Sequence, residues 1–243
     1  TIRLIGNGQI DFGGTGSTPP IAAEASGWNV TYIAASAPRP ANGGIFVARN
    51  SPIRSIADLR GKRISLIDGS FHTYLLARAL EGEGLRLPDV SRLETGAADS
   101  LPALLEGRVD AWIAMAPRLE KAMERSDIRL IARCGSTIPN RSLFWTTDDR
   151  RLSRETRQRI VAELSRIGRE VAADTRIAAE RLVANGAGDA DLDAWERVVR
   201  SRDFSVVAAD ADIIAEQQEE ADTLYRHGYF KNPVRLGQLA RSV

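Results

Sequence analysis

Two short stretches carry residue types that can hold a small anion without breaking a bond. Gln9 to Gly27 reads QIDFGGTGSTPPIAAEASG. Ile10 and Phe12 suit a short buried strand, Gly13, Gly14 and Gly16 supply backbone freedom, and Pro19-Pro20 stands where a helix begins. A helix start leaves amides without internal partners and carries roughly half a positive charge, so the hydroxyls of Ser17 and Thr18 beside it can hold an acidic group. The prolines remove two of those amides, so part of the donor set must come from Gly14 to Thr18. Taken alone, the stretch reads first as a capped helix after a tight turn and only second as an anion site. The design recurs, however, in KRISLIDGSFHTYLLARAL from Lys62 to Leu80. Ile64, Leu66 and Ile67 form a strand, Asp68, Gly69 and Ser70 a turn, and Tyr74, Leu75, Leu76, Ala79 and Leu80 the apolar face of a helix. Two such loops on separate lobes describe a cleft binder better than a catalytic triad.

The elements that must position these loops follow from the rest of the pattern. Ile2, Leu4 and Ile5 before Gly6-Asn7-Gly8 look like the last turn of a helix and its glycine stop. Trp28 to Ala35 and Ile45 to Ala48 read as strands around a Pro/Gly loop, a crossing between lobes, and Ser142 to Thr147 reads as the returning one. Between Lys62 and Arg133 strands and helices alternate with short connections, which predicts an α/β sandwich of mostly parallel strands. From Ser153 onward the pattern turns helical, with helices expected from Ser153, over Thr175 to Ala184, Asp191 to Val199 and Asp210 to His227.

Composition excludes several function classes. The 243 residues suit one large domain or two modest lobes, and 43% of them are hydrophobic, as in a globular protein. A net charge of +1 from 33 basic and 32 acidic side chains makes no electrostatic case for nucleic acid or an anionic membrane surface. No apolar run approaches a membrane span, and no export signal is visible, so direct membrane insertion is not expected. Cys134 is the sole cysteine, expected to be buried at a strand end, and His72 and His227 have no ligand-spaced neighbours, so neither a metal nor a cofactor is expected. Arg39 and Arg141, both near the proposed crossings, are candidate anion partners because a guanidinium matches an oxyanion bidentately.

With these segments placed, the chain resembles the substrate-binding proteins of ABC importers, in the aliphatic sulfonate, taurine and nitrate group with the type II periplasmic-binding fold. The resemblance rests on IDFGGTGSTPPIAAEASG, on GGIFVARNSPIRSIADLRGKRISLIDGSFHTYLLARALEGEGL, on ALLEGRVDAW and on the ending LYRHGYFKNPV, and so covers essentially the whole chain. It implies an α/β two-lobed clamshell, with mixed or parallel sheets flanked by helices: residues 1–47 and 142–243 form the first lobe and 48–141 the second. It also implies a small organic oxyanion as ligand, a membrane permease as partner and a periplasmic or otherwise extracytoplasmic place of work. Members of the group open with a further strand, loop and helix before the point matching Thr1, so the first lobe is expected to be incomplete. Carried over residue by residue, Gly16, Ser17 and Thr18 match the first-lobe ligand loop and Gly69, Ser70, Phe71 and His72 the second, with Ser70 and Thr18 the leading donors. Trp112, in VDAW, stands where a strand ends at the cleft and either walls an apolar ligand tail or serves as a core aromatic.

Three rivals share the fold. A desulfinase-like enzyme needs a nucleophilic cysteine and an RxGG segment; here that segment reads Ala41-Asn42-Gly43-Gly44 and Cys134 falls in the other lobe. A pyrimidine-precursor protein of the thiamin pathway has a cysteine-rich motif that is not found here. A sensor module could use the same clamshell to signal.

Overall fold

The computed structural model describes residues 1–39, 42–133, 138–147, 152–187 and 190–236; Cys134 lies outside the described residues. The chain builds two sheets. The first has the order β1 (Gly13–Thr15), β8 (Leu143–Thr146), β2 (Thr31–Ser36), β9 (Val206–Ala208), and every pairing in it is antiparallel. The second has the order β5 (Ser91–Leu93), β4 (Arg63–Ser65), β6 (Ala111–Met115), β3 (Gly43–Ala48), β7 (Ile128–Arg133). Here β4 is parallel to β5 and β6, whereas β3 runs antiparallel to β6 and β7. The expectation of mostly parallel strands is thereby corrected to a mixed sheet and an antiparallel one. A parallel pair needs a helical crossover, and only the segment from β4 to β6 supplies one at each step.

Sheet membership divides the chain a few residues earlier than the sequence pattern. Gly43 to Val47, expected in the first lobe, lie in β3 and pair only within the second sheet. The chain crosses between lobes just before β3 and just before β8, and the two crossings hold each other. Arg39 N–H donates to Pro139 O at 2.7 Å, Arg39 Nε to Asn140 O at 3.2 Å, and Arg39 Nη2 to Ser142 Oγ at 2.8 Å.

Helices cover both sheets. In the second lobe α3 (Phe71–Glu81) packs on Ile45, Val47, Ile64 and Ile113 of the sheet, while α4 (Ser100–Leu105) and α5 (Arg118–Met123) pack on Phe46, Trp112 and Ala114. In the first, α1 (Ile2–Gly6) and α2 (Thr18–Ala25) lie against Tyr32, Leu143 and Trp145. The strand expected around Ile10 and Phe12 is found three residues on, at Gly13–Thr15. There the missing side chains admit neighbours: a Cβ on Gly14 would meet the Phe144 ring at 2.9 Å, and one on Gly13 would meet Thr1 Cγ2 at 2.4 Å. The helical half comprises α6 (Arg154–Ala173), α7 (Thr175–Ala184), α8 (Leu192–Arg200) and α9 (Ala211–Arg226), with β9 as a strand that the helical pattern hid. Each of these helices begins on a side-chain cap, from Ser153, Asp174, Asp191 and Asp210 respectively.

The last helix, α9, belongs to neither lobe alone. Its Leu224 is enclosed in the second-lobe core, and Ile213, at its other end, is enclosed in the first-lobe core. Arg78 of α3 pairs with Glu219 at 3.3 Å and Glu81 with Arg226 at 3.2 Å.

Gly168 marks where α6 presses on β9's approach. A Cβ there would stand 2.2 Å from the Phe204 carbonyl oxygen, and Ser165 Oγ donates to Val206 O at 2.7 Å one turn earlier. Alanine normally favours a helix over glycine, yet Gly168→Ala is expected to destabilise the protein by about 1–3 kcal/mol, because backbone must shift to admit the methyl. The urea midpoint of the variant, compared at equal m value, checks this.

Candidate functional site

The start of α2 is a helix start of an unusual kind. Ser17 precedes it in helical conformation and makes no capping bond, and prolines occupy the first turn, so few amides face outward. The side chains take over. Thr18 Oγ1, fully buried, donates to Glu220 Oε1 of α9 at 2.5 Å. Ser17 Oγ, also buried, stands close enough to help hold that carboxylate ionised but makes no well-formed hydrogen bond.

Ser17 and Glu220 border a hollow of about 10 Å³, at the lower limit of room for one water molecule. Ser17 comes from the start of α2, Tyr74 from α3, Pro139 to Arg141 from the crossing, and Glu216, Gln217 and Glu220 from α9. Both lobes, a crossing and the bridging helix therefore meet at one point. Arg141 is forked onto Glu216, Nε to Oε2 at 2.6 Å and Nη2 to Oε1 at 2.9 Å, while its Nη1 donates to Ser36 O at 2.9 Å. Gln217 Oε1 is buried without a partner. Burial pushes the Glu220 carboxyl up to about 7, with the Ser17 and Thr18 hydroxyls pulling the other way.

The second expected loop is built differently. Gly69, at φ +70°, makes the turn that only glycine adopts without strain, and its N–H is shared between Asp68 Oδ1 and Thr73 Oγ1. Ser70 caps α3: its Oγ accepts from His72 N–H at 3.1 Å and donates to Ile67 O at 2.6 Å. The hydroxyl expected to reach a ligand is thus committed to the helix start. Phe71 is buried in the second-lobe core, where its ring closes on the bare face of Gly43. His72 turns inward too. Its Nδ1 accepts from Ile67 N–H, which makes Nε2 the protonated nitrogen, and Nε2 has no partner. It borders a separate hollow of about 30 Å³ shared with Ser100, Trp112, Met115 and Arg118. Burial pushes the imidazole down to about 4.

Of the other candidates, Trp112 takes the core alternative, buried with its ring 5.9 Å from that of Phe46, although it also borders the His72 hollow. Arg39 is a tie between crossings; burial, and then the neighbouring Arg202, push it down to about 10. Gly16 lies half-buried in the loop, with open space where a side chain would point. The structure brings Ser17 and Arg141 together around one hollow, with Thr18 bonded to the Glu220 that borders it, and with Tyr74 rather than Ser70 as the member from α3. A wider depression of about 780 Å³ runs along α6 beside Phe12, Arg159 and Ile160, and none of the candidate ligand residues lines it. Among the described residues no group of three or more His, Cys, Asp or Glu is arranged to hold a metal.

Sequence reading missed Glu216, Gln217 and Glu220. The signal was present: Ile213, Gln217, Glu220 and Leu224 recur at helical spacing on the buried stripe of α9, and two of the four are polar.

Against known proteins, the profile of the family described as "NMT1/THI5 like" matches residues 1–149. The putative aliphatic sulfonates-binding protein of Escherichia coli (strain K12) is 36% identical over 130 residues, 54% of this chain and 41% of that protein. Its counterpart in Bacillus subtilis (strain 168) is 26% identical over 219 residues, 90% of this chain and 66% of that one. The matches thus span less than two thirds of these curated relatives. Among solved structures, the alkanesulfonate-binding protein SsuA from Xanthomonas axonopodis pv. citri, bound to MOPS, superposes with a TM-score of 0.84 at 27% identity, covering 96% of this chain and 81% of that one. The fold of that structure is therefore shared along nearly the whole of this chain.

Two outcomes follow from these contacts. Ser70→Ala removes a helix cap and is expected to lower stability by about 1 kcal/mol, read from chemical denaturation. His72 is expected to remain the neutral Nε2–H tautomer at pH 5.5 in a nitrogen NMR titration. Because its folded value lies below the unfolded 6.5, its share of stability is complete above that pH and is lost as pH falls towards 4.

Proposed function

From the premise that this chain belongs to the NMT1/THI5-like family, we propose that it is the solute-binding component of an ABC importer and captures a small organic oxyanion of the alkanesulfonate kind between its lobes. The observation that carries this reading is the convergence of the α2 start, Tyr74 of α3, the crossing at Arg141 and the bridging helix α9 on one enclosed hollow. A ligand seated there touches both lobes at once, which is the condition for ligand binding to favour closure; contact with one lobe alone would shift nothing. The names of the sulfonate-binding relatives support the choice of ligand class.

The hollow is nearly filled in this conformation, so ligand enters a more open form, and closure then brings the same groups onto the ligand instead of onto one another. The groups it would meet are the Ser17 hydroxyl, the Arg141 guanidinium and the Tyr74 phenol. These hold and orient; the mechanism is binding without bond making. The closed, liganded shape is then what a membrane permease recognises, and the place of work is extracytoplasmic. Among the described residues no helix is long and apolar enough to cross a membrane.

Thermal shift and titration calorimetry with ethanesulfonate, longer alkanesulfonates and nitrate test the reading. A sulfonate is expected to raise apparent stability by about 2.7 kcal/mol at a hundredfold excess over Kd, with nitrate weaker because it has no tail to bury. Absence of any sulfonate effect would overturn the reading.

A further inference from the structure

Resting on the reading of this hollow as an oxyanion site, we infer that Glu220 belongs to the binding machinery. As a neutral carboxyl it donates a hydrogen bond to the ligand's anionic head, so that above neutral pH each ligand bound brings one proton with it. Two observations beyond the position of a helix start lead here. Ser17 Oγ, 4% exposed, makes no well-formed hydrogen bond and Gln217 Oε1, 5% exposed, has no partner; both residues border the same hollow as Glu220. Glu220 itself, 2% exposed, already occupies the anion position against the first residue of α2 by accepting from Thr18.

The charges around it leave that carboxylate uncompensated. From α2 it meets only hydroxyls, Ser17 and Thr18. From α3 it meets the Tyr74 phenol, and from β2 the Tyr32 phenol, both pushed upward by burial and by Glu220 itself. Arg78 of α3 faces Tyr74 but pairs with Glu81 and Glu219. Glu24 of α2 adds negative charge near Tyr32. From the crossing, Arg141 borders the hollow with both fork nitrogens spent on Glu216. On α9 itself Glu219 is paired to Arg78 and Arg226.

Ionised, Glu220 is a surrogate for the ligand: it fills the anion position and repels a sulfonate. Protonated, the same group becomes a donor with one O–H to give. The balance is simple. A carboxylate, a solvent proton and a sulfonate become a carboxyl hydrogen-bonded to that sulfonate, and no covalent bond of the ligand changes. Burial raises the carboxyl to about 7, so that both forms are populated near neutrality.

Calorimetry with ethanesulfonate between pH 6 and 9 tests this, since the sulfonate stays ionised throughout. Affinity is expected to be flat near pH 6 and to weaken by about tenfold per unit well above pH 7, the slope of one linked proton. Repeating the titration at pH 8 in buffers of different ionisation heat should show uptake of close to one proton. Glu220→Gln, a neutral donor of the same shape, should bind with little pH dependence and about tenfold more tightly than the parent at pH 8. Its melting curve establishes that it is folded, and the proton count on the parent stands without it. A flat affinity profile with no proton uptake would overturn the inference and leave sulfonate binding intact. Failure of ethanesulfonate and its longer homologues to bind parent or variant at any pH would overturn both readings.

Discussion

One contact between distant parts of the chain, the Thr18 hydroxyl against the sealed Glu220 carboxylate, organises the rest of the molecule. A carboxyl can be taken wholly out of water only if hydrogen bonds meet it or it surrenders its charge, because an unpaired buried ion costs several kcal/mol even after relaxation. Glu220 uses both routes: a hydroxyl donates to it, and burial raises its affinity for a proton. The contact is available only because α9 lies across both lobes. Leu224 is held in one core and Ile213 in the other. Lobe geometry, the α2 start and the state of one proton are thereby tied to the seating of a single helix.

The two arginines beside the crossings show how context divides identical residue types. Arg141 meets a carboxylate in the forked geometry that guanidinium favours and is neutralised on the spot. Arg39 finds no carboxylate; a backbone carbonyl and a hydroxyl receive its donors, and it spans from one crossing to the other. The first shapes the charge of the hollow, and the second holds the crossings in register. Any opening about these segments, as the proposed binding cycle requires, would have to preserve or exchange those bonds.

How far the site could be read from sequence divides at the same point. Glycine-rich turns, prolines and helical periodicity located α2, α3 and the capped helices of the second half, because those signals act within a few residues of themselves. The thinner strands were shifted or lost: β1 forms on glycines because Phe144 and Thr1 press against them, and β9 was hidden in a helical tract. Ser70 was legible as a helix start and illegible as to purpose, since whether its hydroxyl serves a ligand or Ile67 depends on where the turn places a carbonyl.

By itself, then, the order of residues determined an α/β chain of alternating elements, two helix starts rich in small and hydroxyl residues, a helical second half and a near-neutral surface. All of these follow from local sterics, capping and hydrophobic spacing. Tertiary structure alone decided that Tyr74 and not Ser70 faces the first helix start, that His72 and Phe71 turn inward, and that Glu220, 202 positions along from Thr18, receives its hydroxyl. No local rule reaches across that separation. Which buried polar group meets which is settled only when the packing of distant helices removes water from both.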